Sequence, residues 1–198
     1  MRNSLDITRK YQFGYMLLHH LITVLVIIIL EAVAFWYLLD KPIGKQILAA
    51  AFTVVYGLAI YSYARKLAVW DNKPYTPLKP ELKWGFFWGL AISASVGIFL
   101  IIYKLNWQFF SAVGESGIPY LTNGWSIAVN ILFYVWTGPY FGFVKAEGGG
   151  IEIYGQILML AVPIIAATLG YKAGIENFDL MEKLNSLTVE KKSDDEDA

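Results

Sequence analysis

The stretch VLVIIILEAVAFW, residues 24–36, decides the fold: every residue in it is apolar except one carboxylic acid, Glu31. From Met16 to Leu39 the chain stays apolar over a length that crosses roughly 30 Å of hydrocarbon as a helix. Arg2, Arg9 and Lys10 precede the run, and Ala32-Val33-Ala34 resembles a small-residue cleavage site. The apolar run nevertheless continues through Phe35-Trp36-Tyr37-Leu38-Leu39, so it reads as a retained span rather than a removed leader.

The rest of the chain agrees with that opening. Its 198 residues are 57% hydrophobic and 16% aromatic, with a mean hydropathy of +0.48, more apolar surface than one soluble core of this size contains. Sixteen Lys and Arg balance sixteen Asp and Glu, so no basic field points to nucleic acid. Cysteine is absent, which excludes disulfides, thiolate metal sites and a cysteine nucleophile.

Five segments have the length and apolarity of spans: about 16–39, 45–64, 84–104, 126–144 and 153–172. The chain is therefore expected to be an all-α integral membrane protein, a polytopic bundle of about five transmembrane helices over residues 1–172, or four if 126–144 is re-entrant. Gly138-Pro139 and Pro163 free backbone groups and predict kinked or broken helices there. A polar tail, 173–198, carries Phe178, Met181 and Leu184 at helical spacing before EKKSDDEDA, which predicts a short amphipathic helix and a disordered acidic tip. A multi-pass protein of the cell membrane is the expected location, with the lipid bilayer as its first partner.

Loop charge should set orientation, and here it conflicts with itself. The 65–83 loop holds Arg65, Lys66, Lys73, Lys79 and Lys83, candidates for contact with lipid headgroups, and the N-terminal arm holds three more basic residues. With five crossings the C-terminus falls on the opposite side, yet the tail is also basic at Lys172, Lys183, Lys191 and Lys192. Four crossings remove the conflict. Pro74, Pro77 and Pro80 predict a stiff extended connector within that loop. The 105–125 loop, with Trp107, Phe109, Phe110, Tyr120 and Trp125, suits the interfacial aromatic belt as a short surface helix or a lid.

Small residues recur four apart at Gly85, Gly89, Ser93 and Gly97, again at Ala166, Gly170 and Gly174, and more weakly at Ala49, Thr53 and Gly57. In lipid, where burial of large side chains gives no drive, such faces permit close helix approach. They predict a compact bundle, packed within one chain or against a second copy or another membrane protein.

Glu31 is the main candidate for chemistry. A span from Leu21 to Leu39 places it within a residue of the midpoint, and a span from Met16 displaces it by about 6 Å. An intramembrane acid can carry protons, serve as counter-ion to a cation, or bond to a neighbouring span. Asn130 is its preferred partner. His20 lies eleven residues away on the same stripe, about 16 Å along the axis and too far for a direct bond, and with His19 it is expected near the headgroup boundary. Two histidines on one helix cannot ligate a b-type haem within one chain, and no cofactor or metal is expected. No phosphate loop, His-Glu-x-x-His or nucleophile elbow is present, and Ala146–Glu152 reads as a glycine-rich turn. The sequence reading is a non-enzymatic assembly or accessory membrane component, with a small proton- or cation-coupled transporter using Glu31 as the alternative.

Overall fold

The structure is a computed structural model that describes residues 2–38, 42–74, 76, 78–114, 119–143 and 151–177. The chain forms α1 (Arg2–Leu38), α2 (Pro42–Asp71), α3 (Lys83–Phe110), β1 (Ser111–Val113), β2 (Pro119–Leu121), α4 (Gly124–Thr137), a 3-10 segment (Gly138–Phe143) and α5 (Ile153–Ile175). Four helices, α1, α2, α3 and α5, are long and apolar enough to cross a membrane. The protein is a polytopic α-helical membrane protein. The amphipathic helix, the acidic tip, most of the glycine-rich 146–152 turn and Pro77 lie outside the described residues.

Solvent preference is inverted relative to a water-soluble bundle. Leu25, Ile29 and Val33 of α1, Val54 of α2, Ile101 of α3 and Ile165 of α5 are exposed, while Gln12, His20, Glu31, Thr53 and Asp71 are buried. Apolar residues cover the outside because lipid is their solvent, and polar groups turn inward because hydrocarbon offers them no partner.

Side-chain bonds set the direction of each helix. Near the start of α1, Arg9 and Gln12 bond Asp71 at the end of α2, Arg9 covers the Trp84 ring at the start of α3, and Tyr171 near the end of α5 also bonds Asp71. At the opposite end, Lys104 of α3 bonds Gln156 of α5, and Gln46 of α2 bonds Tyr154 of α5. Successive long helices therefore run antiparallel. The C-terminal end of α5 lies with the basic 65–83 region, as four crossings require.

The segment at 126–144 does not cross. Asn123 caps α4 by accepting the Ser126 backbone N–H at 2.8 Å. Its fourteen residues then span only about 21 Å. It runs back along α3: Asn106 bonds the Ser126 carbonyl, Tyr103 stacks on Phe133, and Trp136 stacks on Phe99 and donates to Ser95. Gly138-Pro139 stops the helix halfway. A Cβ on Gly138 would meet Ile28 Cγ1 at 2.7 Å, so the turn closes there only without a side chain. The 3-10 segment returns to the end it came from, where Phe143 packs on Gly155 and its carbonyl accepts the Glu152 N–H. This is a re-entrant hairpin, whose exposed backbone is met by protein: Thr53 donates to the Pro139 carbonyl at 3.3 Å.

Other segments depart from the sequence reading. Residues 65–71 complete α2 and 105–110 complete α3, because apolar contacts continue past the points where charge and tryptophan suggested interfaces. The aromatic region between α3 and α4 folds as an antiparallel two-stranded hairpin, Ser111 opposite Leu121, and not as a surface helix. Thr76 turns the chain at the other end by donating to the Asp71 and Lys73 carbonyls, and Pro74 lies in that turn. Pro163 leaves α5 uninterrupted; in the turn before it, Ser93 of α3 donates to the Leu160 carbonyl at 2.7 Å.

Candidate functional site

The buried stripe of α1 organises the interior. Gln12, Met16, His20, Val24, Ile27 and Glu31 are all buried, at steps of three or four residues that keep one helix face inward. His20 meets Tyr56 halfway along α2, while Arg9 and Gln12 meet Asp71 at the end of α2. His20, expected near the headgroups, is 1% exposed there. Glu31 lies eleven residues further on, about 16 Å towards the end from which α4 enters. Arg9 and Gln12 find partners inside the basic end of the bundle, so the inward face of α1 begins before Met16.

Around His20 the tip of the re-entrant hairpin and α2 build an aromatic and polar centre. Its Nδ1 shares a 2.8 Å hydrogen bond with the Tyr56 hydroxyl, and its ring meets Tyr56 and Trp136 edge-on. Tyr56 in turn packs edge-on against Tyr140, which the hairpin carries. His20 Nε2 and the Tyr140 hydroxyl are buried without a hydrogen-bond partner among the described residues. Unpaired polar atoms away from water are costly, and Trp88 Nε1 and the Tyr103 hydroxyl are in the same state elsewhere in the bundle.

Glu31 is 4% exposed, and its Oε1 likewise has no partner among the described residues. It lines a cavity of about 260 Å³ with Ile28 and Ala32 of α1, and Ile131, Tyr134 and Gly138 of the hairpin. Asn130, the partner expected for it, is engaged elsewhere: its Oδ1 accepts the Trp107 indole N–H at 3.2 Å. The re-entrant course aims Asn130 at α3, while the α4 face one residue on reaches α1.

A third constellation escaped sequence reasoning. Asp71, with a side chain 0% exposed, accepts Arg9 Nη1 at 2.6 Å, Gln12 Nε2 at 2.6 Å and the Tyr171 hydroxyl. Arg9 also donates to Gln12 Oε1 at 2.7 Å and to the Lys79 carbonyl, and its guanidinium lies 4.2 Å from the Trp84 ring centroid. A closed set of donors around one carboxylate is a satisfied clamp that ties α1, α2, α3 and α5 at one end. The available signal was an acid at the end of an apolar run, in a region where basic residues outnumber acids.

The headgroup candidates gather at this same end. Lys66 is exposed 5.7 Å from the Tyr63 ring centroid, Lys73 and Lys79 are exposed, Lys83 pairs with Glu81, and Arg65 is half-buried in α2. The small residues pack inside the chain. Gly85 faces Tyr171 and Ala167, Gly89 faces Pro163 and Ile164, Gly97 faces Leu160, and Gly170 and Gly174 face the α2 backbone at Tyr61 and Arg65. Ala166 is buried beside them. At Gly89 a Cβ would lie 2.6 Å from the Pro163 carbonyl oxygen, so only glycine lets α3 and α5 meet there.

Among the described residues no three His, Asp or Glu side chains converge as a metal site. Fold and site define a membrane protein of four long helices with a re-entrant hairpin packed against α1 and α3, polar groups lying at its tip and flank. The chain matches no protein-family model, no curated protein and no solved structure.

Proposed function

We propose that this protein is a small transport protein of the cell membrane that moves protons or a small cation, with Glu31 as the acid that binds the transported ion. The reading rests on one observation: a buried glutamate whose Oε1 has no partner among the described residues faces a cavity walled by a re-entrant helix. An acid kept only for packing is expected to be hydrogen-bonded, because leaving it unpaired forfeits the stability it was placed to give. Broken helices that enter the membrane halfway are also a recurring way to bring backbone and side-chain ligands to an ion. His20, Tyr56 and Tyr140 stand deeper, as groups able to pass a proton between the hairpin and α1. The basic end, with Lys66, Lys73, Lys79 and Lys172, is assigned to the cytoplasm.

The test is purified protein in sealed vesicles carrying a pH-sensitive dye. Glu31→Gln keeps the shape and removes the titratable group; it is expected to preserve membrane abundance and abolish ion flux. Glu31→Leu with full flux would end the proposal. Normal folding with no flux in the unmodified protein favours the other reading, an accessory component. That reading is supported by the exposed apolar surface of the hairpin end, where Phe109, Val113 and Trp125 are each at least 70% exposed, and no longer by the small-residue stripes, which are used within the chain.

A further inference from the structure

A second, larger recess lies at the opposite end from Glu31, between α1 and α2. It encloses about 890 Å³, within the size range of small-ligand sites, roughly 300–1,000 Å³. Its walls change character along α1. On α1, Lys10 stands at the outer rim, Tyr11 and Tyr15 follow as aromatic sides, and Leu18 is the apolar floor; on α2, Trp70 is outermost, with Leu67 and Lys66 about a turn further in. From Lys10 to Leu18 the change takes eight residues, about 12 Å along the helix axis. Among the described residues no lining residue is acidic. Asp71 of α2 is occupied by Arg9, Gln12 and Tyr171 and is not shared with either lysine.

A recess that is cationic outside, aromatic in the middle and apolar beneath matches one kind of molecule lying in the same bilayer. We propose that it holds an anionic phospholipid, its phosphate held by Lys10 at the rim with Lys66 reaching up from a turn below, its glycerol level with Tyr15, and one acyl chain against Leu18. Aromatic side chains with a polar edge suit the glycerol depth, and basic pockets between helices on the cytoplasmic side are a known form of headgroup site. Gly14 leaves the entrance open: nothing lies within 4 Å of where its Cβ would stand. The site is separate from the Glu31 cavity and does not depend on a transport role.

The experiment uses the full chain in nanodiscs of equal phosphatidylglycerol and phosphatidylcholine, extracted gently and weighed by native mass spectrometry. Two lysines at the headgroup should give roughly a 30-fold preference for the anionic lipid. Lys10→Gln with Lys66→Gln is expected to remove most of that preference, and Lys104→Gln, at the other end of the bundle, to leave it intact. Gly14→Phe fills the recess with both charges present and is expected to expel the lipid; the thermal midpoint of each variant shows that the fold is retained. Equal retention of both lipids overturns the proposal, as does phosphatidylglycerol kept unchanged by Gly14→Phe. Binding of inorganic phosphate alone, or of a soluble protein at the same lysines with no lipid, overturns it as well.

Discussion

Replacing Asp71 by Asn tests the clamp that joins four helices. The carboxylate has two oxygens for three donors: Gln12 bonds Oδ1, while Arg9 and Tyr171 share Oδ2. An amide keeps one oxygen. Placed at the Oδ2 position, it still serves Arg9 and Tyr171, but its NH2 then faces the Gln12 NH2. Gln12 can rotate its own oxygen inward only by giving up the 2.7 Å bond that its Oε1 accepts from Arg9. No arrangement satisfies all members, and Arg9, 12% exposed at its side chain, loses its counter-charge. Removing one partner of a buried pair costs about 3–5 kcal/mol, and Arg9, which is partly exposed, places the cost at the lower end of that range. A net loss of about 3 kcal/mol is expected, measured by sodium dodecyl sulfate unfolding in mixed micelles. Arg9→Gln with Asp71→Asn should cost less than the sum of the singles, with a coupling of at least about 1 kcal/mol. A single-variant loss below about 1 kcal/mol, or strict additivity, refutes the clamp.

Further expectations follow from the geometry. Gly89→Ala should destabilise by about 1–3 kcal/mol, because its Cβ would lie 2.6 Å from backbone atoms of α5 that cannot rotate away. Gly57→Ala meets only Val162 Cγ1 at 3.4 Å and should change stability by under about 1 kcal/mol in the same unfolding assay. Tyr56→Phe deletes one buried hydrogen bond to His20 and should cost about 1 kcal/mol, with a change in Trp136 fluorescence as its local readout. The cysteine-free chain also suits single-cysteine labelling with a membrane-impermeant maleimide. Val113→Cys, Trp125→Cys and Ile153→Cys should react from one side, and Lys73→Cys and Lys172→Cys from the other; Trp125 and Ile153 labelling from opposite sides refutes the re-entrant path.

Much of the fold was legible because lipid imposes length and composition on each crossing segment. The four long helices, the arrest at Gly138-Pro139 and the small-residue faces all follow from that constraint. The conflicting loop charges even pointed to four crossings. The site was less legible, because depth depends on where a helix finds partners and not on where its hydropathy peaks. Arg9 and Gln12 look like residues outside a span until Asp71 receives them, and only the contact with Tyr56 shows His20 turned inward at mid-height of α2.

The sequence by itself determined that this chain lives in a membrane, that its first span holds an acid, and that Gly138-Pro139 and Pro163 are the two places where a helix could break, of which only the first does. Those are local properties: hydropathy over a window and the missing N–H of a proline belong to residues regardless of their neighbours. Only the tertiary structure decided that the broken segment turns back, that Asn130 serves Trp107 instead of Glu31, and that Asp71 closes one end of the bundle. Each of these is a pairing between residues at least twenty positions apart, and which donor meets which acceptor is settled by helix direction and rotation, which no single segment carries.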